Sequence, residues 1–337
     1  MATVLSRRLG SNGPRVSAIG LGAMGMSDMY GPADEQESIA TLHAAIDSGV
    51  TLIDTGDFYG SGHNEMLIGR ALKERNREDV VLSVKFGSRR IPGGAFQPVP
   101  ADTDPVAVKD RLAFTLRRLG TDYVDIYRPT RLNPNVPIED TVGAITELIQ
   151  AGYVRYVGLS EVGATTVRRA AAVHPISDLQ IEYSLISRGV EETILPTLRE
   201  LGIGLTAYGV LSRGLLSGHW SADRQLTSGD FRAQALPRFQ DENLKANLAL
   251  VDALREVARS IGATVAQVAI AWVASRGPDI VPLVGARRRD RLTESLAAAS
   301  LVLSDEHLSA IEAAIPAGSA VGDRYNAQLM ATLDSEG

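Results

Sequence analysis

Asp54 and Tyr59 stand close together in Asp54-Thr55-Gly56-Asp57-Phe58-Tyr59-Gly60, and Lys85 ends the apolar run Val80–Lys85. These three side-chain types form a chemical unit if a fold brings them together. A phenol has a pKa of about 10 in water. A neighbouring ammonium stabilises the phenolate and eases proton donation near neutrality. A carboxylate behind the ammonium keeps it charged and aimed. An Asp–Lys–Tyr chain is therefore a general acid suited to protonating a developing alkoxide. Taken singly, the residues have plainer uses. A tyrosine in such a loop packs, and a lysine at a strand end is solvated. A strand-end lysine can also serve as a Schiff base in a barrel aldolase or isomerase.

Short apolar runs frame these residues. Candidate strands are Ala18–Gly22, Thr51–Asp54, Val80–Lys85, Tyr123–Tyr127, Tyr156–Leu159, Asp178–Glu182, Gly204–Ala207 and Ile280–Val284. They read as continuous more than alternating, which suits parallel strands covered on the outside. Helix signals lie between them. Asp34-Glu35-Gln36-Glu37 places acidic residues at a helix start and Ser48-Gly49 ends that helix. Asp104-Pro105 opens another, and Thr264–Ser275 is apolar enough to require packing against the sheet. Eight β-then-α units favour a closed (β/α)8 TIM barrel, an α/β fold, as one domain over 1–337. Periodicity alone also permits an open doubly wound sheet. The first residues, to about Val16, resemble a β-hairpin turning at Ser11-Asn12-Gly13. Three segments look irregular: Ser88–Thr103, Leu211–Asp241 and the tail after Ile315. The first two follow the C-terminal ends of the third and seventh candidate strands, where barrel enzymes carry active-site loops.

The 337 residues contain no cysteine, which excludes disulfides, a thiolate nucleophile and Cys-ligated metal. The formal net charge of −6 argues against a nucleic-acid partner. Arg7-Arg8 is not followed by an apolar stretch, and Val265 to Ala274 is far too short for a membrane span. A soluble cytoplasmic protein without membrane or nucleic-acid partners is expected. Oligomeric state has no legible signal. HExxH and GxSxG are absent, so neither a metal site nor serine hydrolysis is expected. Gly20-x-Gly22-x-x-Gly25 fits a dinucleotide fingerprint by eye, but no helix is expected at Gly25, so it reads as a strand end and loop.

Several stretches together resemble the aldo-keto reductase superfamily in content, order and spacing. They are Asp54–Gly60, Asn64-Glu65-x-x-Ile68-Gly69-x-Ala71-Leu72, Val84-Lys85-Phe86-Gly87 and Val124-Asp125-Ile126-Tyr127. The likeness continues through Arg155–Ser160, Leu179–Ser184, Gly204–Tyr208 and Pro282–Gly285, from about Ile19 to Ser304. Gly158-Leu159-Ser160-Glu161-Val162 and Glu182-Tyr183-Ser184-Leu185 are most similar to the branch with pyridoxal and perakine reductases.

The resemblance implies a barrel that binds NADPH across its C-terminal mouth and reduces aldehydes and ketones. Its catalytic Asp, Tyr and Lys carry over to Asp54, Tyr59 and Lys85. Its histidine position falls on Thr130, whose hydroxyl can donate a hydrogen bond but cannot act as an imidazole acid. His63, near Tyr59, is more simply a solvated loop residue. Met24, Phe58, Phe86, Arg128 and Thr130 are expected around the substrate. On the cofactor side, Ser160 and Gln180 match positions that hold the carboxamide, with Glu161 where the family often has Asn. Tyr208 matches the residue on which the nicotinamide stacks. Gly209, Val210, Leu211, Arg213 and Gly214 would lie along the pyrophosphate. In Gly285-Ala286-Arg287-Arg288-Arg289-Asp290-Arg291, entering the last large helix, Arg291 aligns best with the 2′-phosphate residue, and Arg287 and Arg288 stand behind it. Glu294 and Ser295 would approach adenine and ribose, with Gly285 at the run's start. The expected function is reversible, NADPH-dependent carbonyl reduction. A nucleotide-bound sensor with little turnover is the alternative.

Overall fold

The turn at Ser11-Asn12-Gly13 joins β1 (Ser6–Arg8) to β2 (Arg15–Ser17), which pair antiparallel. Eight parallel strands follow: β3 (Gly20–Gly22), β4 (Leu52–Gly56), β5 (Val81–Phe86), β6 (Val124–Pro129), β7 (Val154–Ser160), β8 (Ile176–Glu182), β9 (Gly204–Tyr208) and β10 (Ile280–Gly285). The order β10-β3-β4-β5-β6-β7-β8-β9 closes on itself, so the sheet is a barrel and not an open sheet. The computed structural model describes residues 5–27, 29–90, 100–221, 223–224, 226 and 229–336. Parts of the two loops expected to be irregular, residues 91–99 and 222, 225, 227 and 228, lie outside the described residues.

The helices are α1 (Glu35–Asp47), α2 (His63–Leu72), α3 (Pro105–Leu119), α4 (Ile138–Gln150), α5 (Ala164–Val173), α6 (Ile194–Leu201), α7 (Phe231–Ala235), α8 (Asp241–Ile261), α9 (Val265–Ser275), α10 (Arg289–Leu296), α11 (Asp305–Ala314) and α12 (Ala327–Met330). Their starts follow the local chemistry. Asp34 accepts from the Glu37 amide, and Asp104 accepts from Val106 and Ala107 with Pro105 in the first turn. Thr264 and Gln267 form a capping box on α9, most of which is buried against the barrel. Two expectations change. The segment before Asp241 contains α7, and the basic run enters only the short α10, after which α11, α12 and a tail still follow.

Strand alternation sorts the side chains. Leu82, Val84 and Phe86 face the helices, while Ser83 and Lys85 face the barrel axis. At the N-terminal end of the interior, Leu52, Ile126, Val281 and Leu283 form one apolar cluster with Leu9 and Val16 of the hairpin segment, which plugs that end. Gly204 makes the plug possible, because a Cβ there would stand 2.7 Å from the Gly10 nitrogen. Further along the axis the interior turns polar, with Asp54, Ser83, Lys85, Arg128, Asp178, Gln180, Thr206 and Glu182 all buried.

Candidate active site

Asp54, on β4, and Lys85, on the adjoining β5, point into the polar half of the barrel and form a buried ion pair. The other oxygen of Asp54 accepts from Ser83 Oγ at 2.8 Å and Gln180 Nε2 at 2.7 Å. Tyr59 follows β4 in a short 3-10 turn and is buried, with the Lys85 ammonium 5.2 Å from its ring centroid. The three expected catalytic side chains are thus together at the C-terminal mouth.

Their electrostatics differ from the simple expectation. Burial, the Asp54 charge and Tyr30 hold the Tyr59 phenol well above its ordinary pKa, against the pull of Arg213. Burial also lowers the Lys85 pKa, opposed by Asp54 and helped by the cations Arg128 and Arg131. Tyr59 is therefore a neutral phenol with its proton in place. An ammonium so placed can offset charge on a phenol that loses its proton.

The residues expected around the substrate separate into groups. Met24 is half-buried in the turn after β3. Phe58 packs edge-on to Tyr59 with centroids 4.6 Å apart. It lines a cavity of about 320 Å³ with Asp57, Ser61, Arg111 and Phe114, on the side of α3. Phe86 does not face the mouth. One position beyond Lys85, it points outward and stacks on Tyr127 at 4.2 Å. Arg128 faces inward but lies too deep to line a pocket. It holds Asp178 through two bonds, of 2.9 and 3.1 Å, and reaches the Leu159 carbonyl and Ser83. A Cβ on Gly158 would stand 2.9 Å from the Arg128 Cζ, so that guanidinium requires glycine beside it. Thr130 Oγ1 donates to the Phe86 carbonyl at 2.7 Å, so its hydroxyl hydrogen is not offered to a substrate. His63 bonds Ser27 at 2.9 Å and Glu35 at 3.2 Å, away from the catalytic group.

The residues expected on the cofactor side centre on Tyr208. Ser160 ends β7 and Gln180 lies two residues before the end of β8, and both are buried. Tyr208 donates to Glu161 Oε1 at 2.5 Å, and its hydroxyl is 3.1 Å from that of Tyr325. The Arg213 guanidinium covers its ring at 4.8 Å, on a turn (Gly209, Val210, Leu211, Ser212, Arg213, Gly214) with positive φ at Gly209, Ser212, Arg213 and Gly214. Glu161, fully buried at φ 52°, also accepts from Arg324 Nη2 at 2.8 Å and Ser335 Oγ at 2.9 Å. Burial would raise its pKa, yet Arg324, Arg131 and the Tyr208 hydroxyl bring it down to about 2. The tail beyond α11 thus returns to the mouth, which the sequence did not signal.

At the outer end, Arg287 donates to the Gly31 and Pro32 carbonyls at 3.2 and 3.1 Å, and Arg288 pairs with Asp290 at 2.8 Å. Arg291 contacts His219 and pairs with Glu294 at 3.1 Å, and His219 is 3.0 Å from Glu294. Ser295 is buried in the packing of α10. Reading the sequence missed His219, which stands far along the chain from its partners. Gly285 has open space where a side chain would begin. An aromatic face, bare backbone at Gly285 and several arginines suit a phosphate-bearing dinucleotide laid across this rim.

The profile of the Aldo/keto reductase family matches residues 18–316. A "Probable aldo-keto reductase 1" from Glycine max is 39% identical over 319 residues, covering 94% of this chain and 91% of the relative. The glycerol dehydrogenase AKR11B4 from Gluconobacter oxydans superposes with a TM-score of 0.84 at 27% identity, over 96% of this chain and 98% of that one. The thermostable aldo-keto reductase Tm1743, solved with the inhibitor epalrestat, gives 0.72 at 29% identity, over 92% and 99%. The chain belongs to the aldo/keto reductase family and is an oxidoreductase. That family generally works with a nicotinamide dinucleotide.

Proposed function

We propose that this chain reduces aldehydes and ketones reversibly with NADPH, and that Tyr59 is its proton donor. The observation that carries the reading is the buried Tyr59 phenol against the Lys85–Asp54 pair at the barrel mouth. Ser160, Gln180 and Tyr208 would hold the nicotinamide end, Arg213 the pyrophosphate, and Arg287, Arg291 and His219 the 2′-phosphate end. The reduced nicotinamide, when bound, supplies hydride to the carbonyl carbon. Tyr59 gives its proton to the carbonyl oxygen as negative charge develops there. An alkoxide is a stronger base than a phenolate, so the transfer runs downhill even from a phenol of raised pKa. Lys85 offsets the phenolate charge, and Asp54 keeps Lys85 charged and aimed.

The four-arginine rim favours NADPH over NADH, because a 2′-phosphate has several guanidinium donors within its region and a bare ribose does not use them. In Tyr59→Phe the ring and its packing stay while the proton is lost. NADPH-dependent reduction of a carbonyl panel should fall by about 10²–10⁴-fold. Unchanged reduction would sink the assignment. The Thr130 hydroxyl is committed to the Phe86 carbonyl, which supports a second reading as a slow nucleotide-bound sensor. Single-turnover oxidation of bound NADPH by a reactive aldehyde separates the two, since a sensor would show none.

A further inference from the structure

Arg131 follows Thr130 just beyond the C-terminal end of β6, where the Thr130 amide donates to the Phe86 carbonyl of β5 at 2.8 Å. It is half-buried, and its charge environment is that of the mouth, with Tyr208, Glu161, Tyr325 and Arg324 as neighbours. The Lys85 ammonium in turn feels its charge. Three other arginines of the polar interior and the mouth are engaged with carboxylates. Arg128 holds Asp178 at 2.9 Å, Arg213 holds Glu182 at 3.3 Å and Arg324 holds Glu161 at 2.8 Å. Among the described residues Arg131 makes one side-chain hydrogen bond, from Nη1 to the Thr130 carbonyl at 2.7 Å. Among the described residues no carboxylate comes within ion-pair distance of it. A guanidinium presents its donors as a planar fork that matches two oxygens of one anion. Among the described residues that fork keeps most of its donors, at the C-terminal end of the strand next to the one that carries Lys85.

We propose that Arg131 selects carbonyl substrates that also carry an anionic oxygen group, a carboxylate or a phosphate, and that such anionic aldehydes and ketones are the preferred substrate class. The assignment rests on the carbonyl-reductase reading. With the reacting carbonyl at Tyr59, substituents of the substrate face the neighbouring wall made by β5 and β6. A charge-assisted bond in that half-buried position favours the anionic member of a matched substrate pair by about 10- to 100-fold.

The test compares kcat/KM, with NADPH, for 4-carboxybenzaldehyde against its methyl ester and for glyceraldehyde 3-phosphate against glyceraldehyde. Whichever anionic member gains identifies carboxylate or phosphate as the group. Arg131→Met should bring the gaining ratio close to one, and Arg131→Lys should restore part of it. Benzoate should inhibit wild type competitively against the aldehyde, and benzamide should not. The NADPH dissociation constant, read by fluorescence, should be the same in Arg131→Met and wild type, which also reports that the variant is folded. The assignment is overturned if neither pair shows a preference in wild type. It is equally overturned if Arg131→Met lowers both members of a pair alike, which would place Arg131 at the carbonyl oxygen, or if it weakens NADPH binding instead. Reduction of neutral aldehydes without preference defeats only the Arg131 assignment. Failure to oxidise NADPH with any member defeats the carbonyl-reductase reading and this assignment together.

Discussion

The two ends of the barrel interior are made by the same strands and the same alternation, yet they hold together by different physics. At the plugged end, Leu52, Ile126, Val281 and Leu283 meet Leu9 and Val16 in an apolar cluster. Burial there is non-directional and follows area. At the open end, Asp54, Lys85, Arg128, Asp178, Glu161 and Glu182 are buried charges that need specific partners. Removing a carbon from the first region leaves a hole. Removing one member of a pair from the second leaves a charge with nothing to answer it, at greater cost. The stable end carries the hairpin plug, and the costly end carries the proposed chemistry.

Arg128→Met tests that contrast most severely. Both side chains of the Arg128–Asp178 pair are fully buried, and among the described residues the variant leaves the Asp178 carboxylate with only the Ser177 and Thr206 hydroxyls. The expected loss is about 3–5 kcal/mol in urea unfolding. Arg128 also lowers the Lys85 pKa, so the same variant should move the Lys85 limb of a pH–rate profile upward. A loss no larger than that of Leu52→Ala would erase the difference between the two ends.

Leu52→Ala probes the other end. It removes carbons from the apolar cluster and should cost about 2–5 kcal/mol, with the spread set by how far Leu9 and Ile126 relax into the gap. Activity per folded molecule should stay close to wild type, because Leu52 lies one inward position away from Asp54 and packs in the apolar cluster. A large fall in kcat with stability intact would mean that the two ends are mechanically coupled.

Much of this division was legible in the sequence, and its errors are instructive. The eight strands were all recognised, because each is a compact apolar run between helix signals. Asp54, Tyr59 and Lys85 lie near strand ends, so local motifs were enough to group them. Asp178-Leu179-Gln180-Ile181-Glu182 alternates polar with apolar, a signal for a polar barrel interior that a reading of continuous apolar runs passed over. The same alternation explains Phe86, which sits one residue from Lys85 and must therefore face the helices. Arg128 faces the correct way but one layer too deep, and depth is not written in a local pattern. Arg324 and Tyr325 meet Glu161 and Tyr208 across 163 and 117 positions of chain. No spacing rule reaches that far. Glu161 itself stood where the family often has Asn, and its replacement makes sense only once Arg324 is seen beside it.

Glu161→Gln gives the finest test, because it asks whether the tail belongs to the charged end. Its carboxylate has a folded pKa of about 2, below the ordinary 4.5, since Arg324, Arg131 and Tyr208 outweigh burial. A depressed carboxylate contributes stability that is fully present above the unfolded pKa and is lost as pH falls through the folded one. The gap between wild type and Glu161→Gln should therefore be widest at neutral pH and close between about pH 4.5 and about pH 2. At pH 7 it should amount to about 1–3 kcal/mol, less than for Arg128→Met. The reason is that Arg324 keeps Glu336 at 2.6 Å and Glu182 at 3.6 Å as other partners. Unfolding followed in urea at a series of pH values reads this directly. A gap that stays constant from pH 7 to pH 3 would show that the Glu161 charge does not hold the tail, and that packing alone brings Tyr325 to Tyr208.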